Sequence, residues 1–588
     1  MPPGQRIPHQ AAVAAGVLGA LALALFTPLP AKSVDWIGAS LPVETRHQIV
    51  AVASGLVSPP IETADFTPMQ HTGVNPVGAN TFLEQEVEEE KRRRTLAMLR
   101  DAGVGWIRQQ FPWQEIEPDE KGRFWDAKHG ISSWAKYDNI VALAEEYDIE
   151  IIARLDTSPQ WARPGNSWHA TPPDNLEDFG DFVYEVVRRY RGRIRYYQIW
   201  NEPNLHIEWG LRPVDPRGFV ELLKVAARRA READPQAVIL APALAPTIEM
   251  SDRAMNDLHF LQAMYDAGAA PYFDILSVQA YGLRHGPDDR RLDLDDVNFS
   301  RPLLIREIMV QNGDAHKPIW ATEIGWNALP PDFPEPPIYG RVSEELQARY
   351  TVRAFQRALE EWPWMGVMAI WFFKRADDRE RNQQMYYFRM VDPDFTPRPL
   401  YDAIKETADQ RRRVYPGFFQ ENHWALTYEG AWETVQGPDV RYRAARAAAP
   451  GQSVHFSFVG THLEIAAKRG PGAGALSVTV DSQPANRLPK DARGQAILDL
   501  AGPGEGPSEP VLVAVVGDGV HTVHLTTMPS PSGGGAEVVL DGIVVRRIPG
   551  PPVGALAASL LAVLLLVTRW QPSEVEGRPA SAGRGTSP

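Results

Sequence analysis

The chain has 588 residues, of which 44% are hydrophobic and 23% are charged, with a formal net charge of −14 and no cysteine. This length exceeds what a single hydrophobic core holds, so at least two domains are expected. The acidic balance argues against a nucleic-acid partner, whose phosphates require a basic surface. The lack of cysteine excludes disulfides, thiol catalysis and Cys-ligated metals.

Two apolar runs lie near the ends of the chain. Residues 11–29 follow Arg6 and contain no charge, which is typical of a signal peptide or an uncleaved anchor. Residues 553–568 precede Arg569 and Trp570 and would span roughly 24 Å as a helix, close to a bilayer core. A buried C-terminal helix is the alternative for this second run. Positive charge outside both runs predicts a cell-membrane protein whose central part lies on the extracytoplasmic side.

A strand-then-helix pattern recurs eight times between the two apolar runs. Apolar, β-rich segments alternate there with amphipathic stretches at helical spacing. Eight such units in succession predict an α/β fold of the closed (β/α)₈ TIM-barrel type, and a doubly wound open sheet is the alternative. The predicted strands cover residues 69–77, 104–111, 150–155, 194–200, 237–241, 273–280, 318–322 and 366–372.

The pattern changes at about Gly417 to short alternating β segments separated by Gly, Pro and Asp, which predicts an all-β sandwich. Its Gly430-Ala431-Trp432 and Leu540-Asp541-Gly542 segments resemble accessory modules of the galactose-binding-like type. The resemblance implies either glycan binding, with Trp424, Tyr428 and Trp432 as a sugar platform, or simple packing on the barrel. The predicted domains are 1–30 signal peptide or N-terminal anchor, 31–65 linker, 66–410 catalytic barrel, 411–548 β-sandwich accessory domain, 551–569 transmembrane helix and 570–588 disordered cytoplasmic tail.

Each of two predicted barrel strands ends in one glutamate. Asn201-Glu202-Pro203 follows strand four, and Thr322-Glu323-Ile324 ends strand seven. The carboxyl ends of barrel strands form the active site, and strands four and seven face each other across it. Two convergent carboxylates are what glycoside cleavage requires, because one protonates the leaving oxygen while the other attacks the anomeric carbon or activates water. The sequence does not give the distance between the two carboxylates, so both retention and inversion of the anomeric configuration stay open. An isolated Asn-Glu-Pro is also compatible with the start of a helix.

Both glutamate motifs, with Trp106-Ile107-Arg108 and Tyr137-Asp138, resemble glycoside hydrolases of clan A, in particular families 39 and 5. The resemblance covers about residues 66–406. It implies a retaining O-glycosidase in which Glu202 is the acid/base and Glu323 is the nucleophile.

The same resemblance implies further site residues. Asn201 would hydrogen-bond the sugar 2-hydroxyl, Arg108 would lie beside the nucleophile, Tyr281 would donate a hydrogen bond to it, and Trp371 would form the floor under the reacting sugar. Two more residues that follow strand ends, Trp161 and Trp326, would either line outer sugar subsites or pack locally.

The sequence therefore predicts a retaining glycosidase acting on a polysaccharide or glycoconjugate. A non-catalytic glycan-binding barrel and a transglycosidase that remodels surface glycans are the alternatives. No metal is expected, because the sequence has no His-Glu-x-x-His motif and no cysteine, and no cofactor is expected. A Gly-x-Ser-x-Gly elbow and a phosphate loop are also absent from the sequence.

Overall fold

The computed structural model describes residues 61–437, 440–503 and 508–548. Its first unit is a sheet of eight parallel strands in the order five-four-three-two-one-eight-seven-six. Parallel bridges from Leu240 to Ile275 and from Leu244 to Val278 join strands five and six, so the sheet closes on itself. The TIM-barrel prediction is confirmed and the open sheet is excluded. The strands are Val77–Thr81, Trp106–Pro112, Glu150–Asp156, Tyr196–Ile199, Val238–Leu240, Leu276–Tyr281, Ile319–Gly325 and Met365–Ile370.

Helices follow the strands and pack their apolar faces on the outside of the barrel. The helix that starts at Pro216 shows how local sequence sets these boundaries. The Asp215 side chain accepts hydrogen bonds from the amides of Arg217 and Gly218, and proline occupies the first turn. The α-helices are Glu89–Asp101, Trp113–Ile116, Trp134–Glu146, Leu176–Arg189, Pro216–Ala233, Asp257–Asp266, Arg301–Gln311, Glu344–Glu361 and Pro399–Glu406.

The first barrel strand lies later in the chain than predicted. The prediction placed it at residues 69–77, whereas the strand is Val77–Thr81. Glycine and asparagine are depleted in strands, so Gly78 and Asn80 concealed it. Gly78 is needed there because a Cβ would lie 3.0 Å from a Val367 methyl and 3.2 Å from the Ala369 Cβ.

Aromatic rings close the base of the barrel. Trp106, Tyr196 and Trp320 are buried with ring centroids 5.0–5.1 Å apart. The Trp320 indole donates to the backbone carbonyl of His71, and Nδ1 of His71 lies 3.2 Å from the Tyr196 hydroxyl. With five aliphatic side chains these rings form a buried apolar cluster that fills the base of the barrel: Ile152, Val238, Leu240, Ile275 and Val367.

Gly366 is expected to tolerate no side chain at this base. A Cβ there would overlap the Trp320 indole nitrogen and lie 2.6 Å from the carbonyl oxygen of His71. Gly366→Ala should therefore lower the free energy of unfolding by roughly 1–3 kcal/mol, as overpacking does elsewhere. Urea unfolding measures the change. Gly165→Ala is the matched control, because no atom lies within 4 Å of the added Cβ, and equal stability of the two variants would contradict this account.

The second unit consists of antiparallel strands around its own apolar core, so the β-sandwich prediction is confirmed. Two long strands, Ser453–Ala467 and Pro510–Met528, pair with each other along most of their length. The strands are Gly417–Gln420, Thr427–Glu429, Glu433–Val435, Ala444–Ala447, Ser453–Ala467, Ala475–Val480, Gln483–Pro484, Ile497–Asp499, Pro510–Met528 and Val538–Arg546.

The sandwich contacts the chain segment that precedes the first barrel strand. The Trp424 amide donates to the Gly73 carbonyl at 2.7 Å, and the Tyr442 hydroxyl donates to the Pro68 carbonyl at 3.2 Å. This segment lies at the base of the barrel, so the sandwich is remote from the carboxyl ends of the strands. Trp424 lines an interdomain cavity there, whereas Tyr428 and Trp432 pair with each other at 5.2 Å. The three rings predicted as one sugar platform therefore do not form one.

The prediction of terminal membrane segments is not upheld. Within the three described ranges, no helix has both the length and the apolarity needed to cross a bilayer. The longest helices, Pro216–Ala233 and Glu344–Glu361, have 18 residues each and carry several charged side chains. Residues 1–30 and 551–569, which supported this prediction, lie outside the described ranges.

Candidate active site

Glu323 lies within the seventh barrel strand and is 5% exposed. Its two carboxylate oxygens accept different hydrogen bonds. Arg108 donates to Oε1 at 2.8 Å, and the Tyr281 hydroxyl donates to Oε2 at 2.7 Å. Burial and the charge of Glu323 raise the pKa of Tyr281 well above its usual value, so its hydroxyl stays a donor. Both partners stabilise Glu323 as a carboxylate.

Arg108 is fixed by a polar layer inside the barrel. Its guanidinium donates to the side-chain oxygens of Asn80, Gln198 and Asn201 at 2.8–2.9 Å, in addition to Glu323. These four partners come from strands one, four and seven and from the turn after strand four. A buried arginine whose three guanidinium nitrogens all donate cannot turn away from Glu323 without leaving several groups unsatisfied. The structure brings Arg108, Asn201, Tyr281 and Glu323 together, and their roles toward a sugar stay predictions.

Glu202 stands just beyond the fourth strand in a sharp turn. Its φ is +40° and that of Trp200 is +67°, in the left-handed region that non-glycine residues rarely adopt. The Glu202 amide donates to the Ala243 carbonyl at 3.0 Å, which ties the turn to the loop after strand five. Gln279 Nε2 donates to Glu202 Oε1 at 2.5 Å.

The two glutamates have opposite electrostatic environments. Burial and the charge of Glu323 raise the pKa of Glu202 to about 7. Glu202 lacks the direct arginine contact that Glu323 has. Gln279 connects the two, since it donates to Glu202 and is the cross-strand partner of Glu323 in the sheet. The Glu202 carboxyl is therefore suited to hold a proton near neutral pH, whereas the Glu323 carboxylate oxygens accept hydrogen bonds from a guanidinium and a hydroxyl.

The predicted tryptophans differ in their placement. Trp371 is buried against Phe82 at 5.8 Å, and its indole Nε1 has no hydrogen-bond partner among the described residues, so a ligand oxygen could accept from it. Trp161 is half-buried and donates to the Glu117 carbonyl at 2.9 Å. Trp326 is fully buried and donates to the His285 carbonyl at 2.7 Å, which favours the packing alternative for this residue.

Gln279 and Glu208, like Asn80 and Gln198 of the polar layer, were not predicted from the sequence. Gln279 lies two positions before Tyr281 in strand six, on the same face, and this spacing could have identified it. Glu208 lies in the turn His206–Glu208 after strand four, where burial and the charge of Glu202 raise its pKa to about 8. No motif marks Glu208, because only the fold brings its side chain near Glu202.

In the part of the chain that the structure describes, no group of three or more His, Asp or Glu side chains is placed to hold a metal ion. The side chains that the structure brings together at the site are two carboxylates, an arginine, a tyrosine and a glutamine.

No family model matches the sequence. A stretch of 154 residues is 23% identical to a chloroplastic protein of Oryza sativa subsp. japonica described as beta-glucosidase-like SFR2. This match covers 26% of the chain and 21% of that protein, so the chain spans about a fifth of that relative's length.

Solved structures give similarities of greater coverage. A family 39 glycoside hydrolase from Bacteroides cellulosilyticus WH2 is 17% identical, with a TM-score of 0.45 over 80% of this chain and 83% of that one. The GH39 enzyme from Xanthomonas axonopodis pv. citri is 15% identical, with a TM-score of 0.42 over 82% and 96%. GH5_18 from Streptomyces cattleya is 14% identical, with a TM-score of 0.44 over 60% and 82%. The printed names of these three structures place those proteins in families 39 and 5.

Proposed function

We propose that the chain is a retaining glycoside hydrolase with Glu202 as acid/base and Glu323 as nucleophile. The observation that carries the proposal is the unequal environment of the two glutamates. Glu323 accepts hydrogen bonds from Arg108 and Tyr281, whereas Glu202 is bonded by the neutral amide of Gln279. A binding protein needs neither an ionised carboxylate nor a protonated one at the mouth of its barrel.

In the first step, the Glu323 carboxylate attacks the anomeric carbon as the glycosidic C–O bond breaks. Glu202 gives its proton to the leaving oxygen, so the leaving group departs as a neutral alcohol. An ester between Glu323 and the sugar remains. Asn201, whose side-chain oxygen accepts from Arg108 at 2.8 Å, is held in place to donate its amide hydrogens to the sugar 2-hydroxyl.

In the second step, Glu202 is ionised and takes a proton from water as the water oxygen attacks the anomeric carbon. The ester bond breaks, Glu323 leaves as a carboxylate, and Glu202 regains its proton. Two displacements at one carbon return the original anomeric configuration. Arg108 and Tyr281 stabilise Glu323 whenever it is a carboxylate, and Trp371 offers its unpartnered indole N–H to a sugar oxygen.

A panel of 4-nitrophenyl glycosides that differ only in sugar and anomeric configuration tests the proposal. Release of nitrophenol identifies the sugar, and proton NMR of the first product gives its anomeric configuration. Retention supports the mechanism, inversion contradicts the role of Glu323, and glycan binding without turnover on the whole panel favours a non-catalytic protein.

Removal of the Gln279 amide should shift the alkaline limb of the pH profile of kcat/KM to higher pH. Gln279 donates to Glu202 and so stabilises its ionised form, which holds the pKa lower than burial alone would. In Gln279→Leu that pKa rises, so Glu202 stays protonated to higher pH. The alkaline limb of kcat/KM should move upward from near 7 by roughly one unit, because a hydrogen bond to a charged group is worth about 1.5 kcal/mol.

Profiles of kcat/KM from pH 4.5 to 9.5 measure this shift. Gln110→Leu is the matched control, since the Gln110 amide donates to Asp156 at 2.7 Å and not to Glu202. A downward shift in Gln279→Leu, or an equal shift in both variants, is incompatible with the assigned hydrogen bond.

A further inference from the structure

Exposed apolar side chains are concentrated on one face of the barrel. Within residues 61–410, all of which the structure describes, eleven large hydrophobic side chains are exposed. Ten of them lie in loops that follow barrel strands, around the opening where Glu202 and Glu323 stand. The eleventh, Phe66, packs under the Arg546 guanidinium at 4.2 Å. Scattered exposed apolar residues need no explanation, but a set confined to one face marks an interaction surface.

Part of this set lies on the two loops that carry Glu202 and its backbone partner Ala243. Leu205 and Ala254 form an antiparallel bridge between these loops, and the His206 amide donates to the Arg253 carbonyl at 2.8 Å. Four exposed aliphatic side chains flank this connection and are called the apolar rim: Ile207, Leu211, Ile248 and Met250.

The apolar rim is on the leaving-group side of the proposed reaction. Glu202 must reach the leaving oxygen to protonate it, so the leaving group lies along the loops that hold Glu202. Ile207 comes five residues after Glu202 and is 44% exposed, and Met250 on the neighbouring loop is 58% exposed. The Trp168 indole donates to the Ile207 carbonyl at 2.5 Å, which supports the rim from the loop after strand three.

The side chains of the rim indicate what it binds. A sugar ring needs polar partners for its hydroxyls, and aliphatic side chains offer none. An alkyl chain needs only apolar area, which the rim supplies. The charged residues that adjoin the rim include both signs, so they favour an uncharged ligand over an anionic one: Arg212, Arg253, Glu249 and Asp252.

We propose that the apolar rim binds the alkyl part of the leaving group, so that the substrate is a neutral glycoside with a long aliphatic aglycone, as in a glycolipid. This inference rests on the proposed glycosidase function and specifies the substrate class of the same site.

Calorimetric titration with methyl, hexyl and octyl β-glycosides of glucose, galactose and xylose, each below its critical micelle concentration, tests the rim. The full chain and the variants below all carry Glu323→Ala, which the proposed mechanism makes unable to cleave the ligand. Affinity should rise with chain length by roughly two- to fourfold for each methylene that the rim covers. In the double variant Ile207→Ser/Met250→Ser the affinity should no longer depend on the length of the alkyl chain. Val87→Ser is the matched control, because Val87 is 91% exposed on the loop after strand one, away from the rim, and this variant should bind like the chain that carries Glu323→Ala alone.

Three results would overturn the inference: no binding of the octyl glycosides, a chain-length dependence that survives in the double variant, or a dimer in sedimentation velocity that the double variant abolishes. The last would assign the rim to a second copy of the chain. Turnover of 4-nitrophenyl glycosides by the wild type, measured in parallel, separates the two proposals. If the chain turns over nitrophenyl glycosides but its affinity does not depend on alkyl chain length, only the proposal for the rim is contradicted. If its affinity depends on alkyl chain length but there is no turnover, only the proposed hydrolase function is contradicted.

Discussion

Glu323→Ala is expected to reduce kcat/KM by at least about 10⁴-fold, because it removes the atom that attacks the anomeric carbon. The loss should be the same for good and poor leaving groups, since no glycosyl-enzyme forms with either. Arg108 and Tyr281, which bond Glu323 in the wild type, would then face an empty space large enough for a small anion. Added azide should therefore restore turnover and give a glycosyl azide of inverted configuration.

A fluorosugar with a dinitrophenyl leaving group gives an independent readout in the wild type. Slow hydrolysis of its glycosyl-enzyme should add one sugar mass to the intact protein, and peptide mapping should place that mass on Glu323. Full activity of Glu323→Ala, or a label on another residue, would remove Glu323 from the mechanism.

Glu202→Ala is expected to separate substrates by their leaving groups. For leaving groups that need a proton, kcat/KM should fall by about 10²–10⁴-fold, which is the usual contribution of a general acid. For dinitrophenyl glycosides the first step needs no proton, so the loss should be far smaller. Azide should again accelerate turnover, this time with a product of retained configuration because the Glu323 ester is intact.

Glu208→Gln is the matched control for Glu202→Ala. Glu208 lies in the turn after the same strand, and burial and the charge of Glu202 raise its pKa, but in the proposed mechanism Glu202 and not Glu208 protonates the leaving oxygen and is intact in this variant. Glu208→Gln should affect good and poor leaving groups alike. If the two variants showed the same dependence on leaving group, the assignment of the acid to Glu202 would fail.

The parts of the site that could be predicted from the sequence are those fixed by strand ends. Glu202 follows a short apolar strand and Glu323 lies two residues before the end of another, and barrel topology alone brings such ends to one opening. Arg108 was predicted from a motif that resembles clan A, and the structure places it 2.8 Å from Glu323. Gln279 and Glu208 were missed, since their roles depend on which side chain from another strand or turn lies opposite.

Other differences have simple physical reasons. The first strand was placed too early because Gly78 and Asn80 have low strand propensity, although the tight packing against Val367 and the polar layer require both. Trp326 follows a strand end as Trp371 does, but the local sequence does not tell which side of the barrel wall a ring occupies. The structure buries Trp326 among Phe299 and Tyr350 outside the strands.

The aromatic base formed by Trp106, Tyr196 and Trp320 has a consequence for the order of events. Because apolar side chains fill the base, substrate, water and products all pass through the opening at the carboxyl ends of the strands. The water that hydrolyses a sugar ester on Glu323 can then arrive only after the alcohol has left the space above Glu202. Slow departure of a bulky alcohol would thus delay hydrolysis and leave time for a second alcohol to take the place of water.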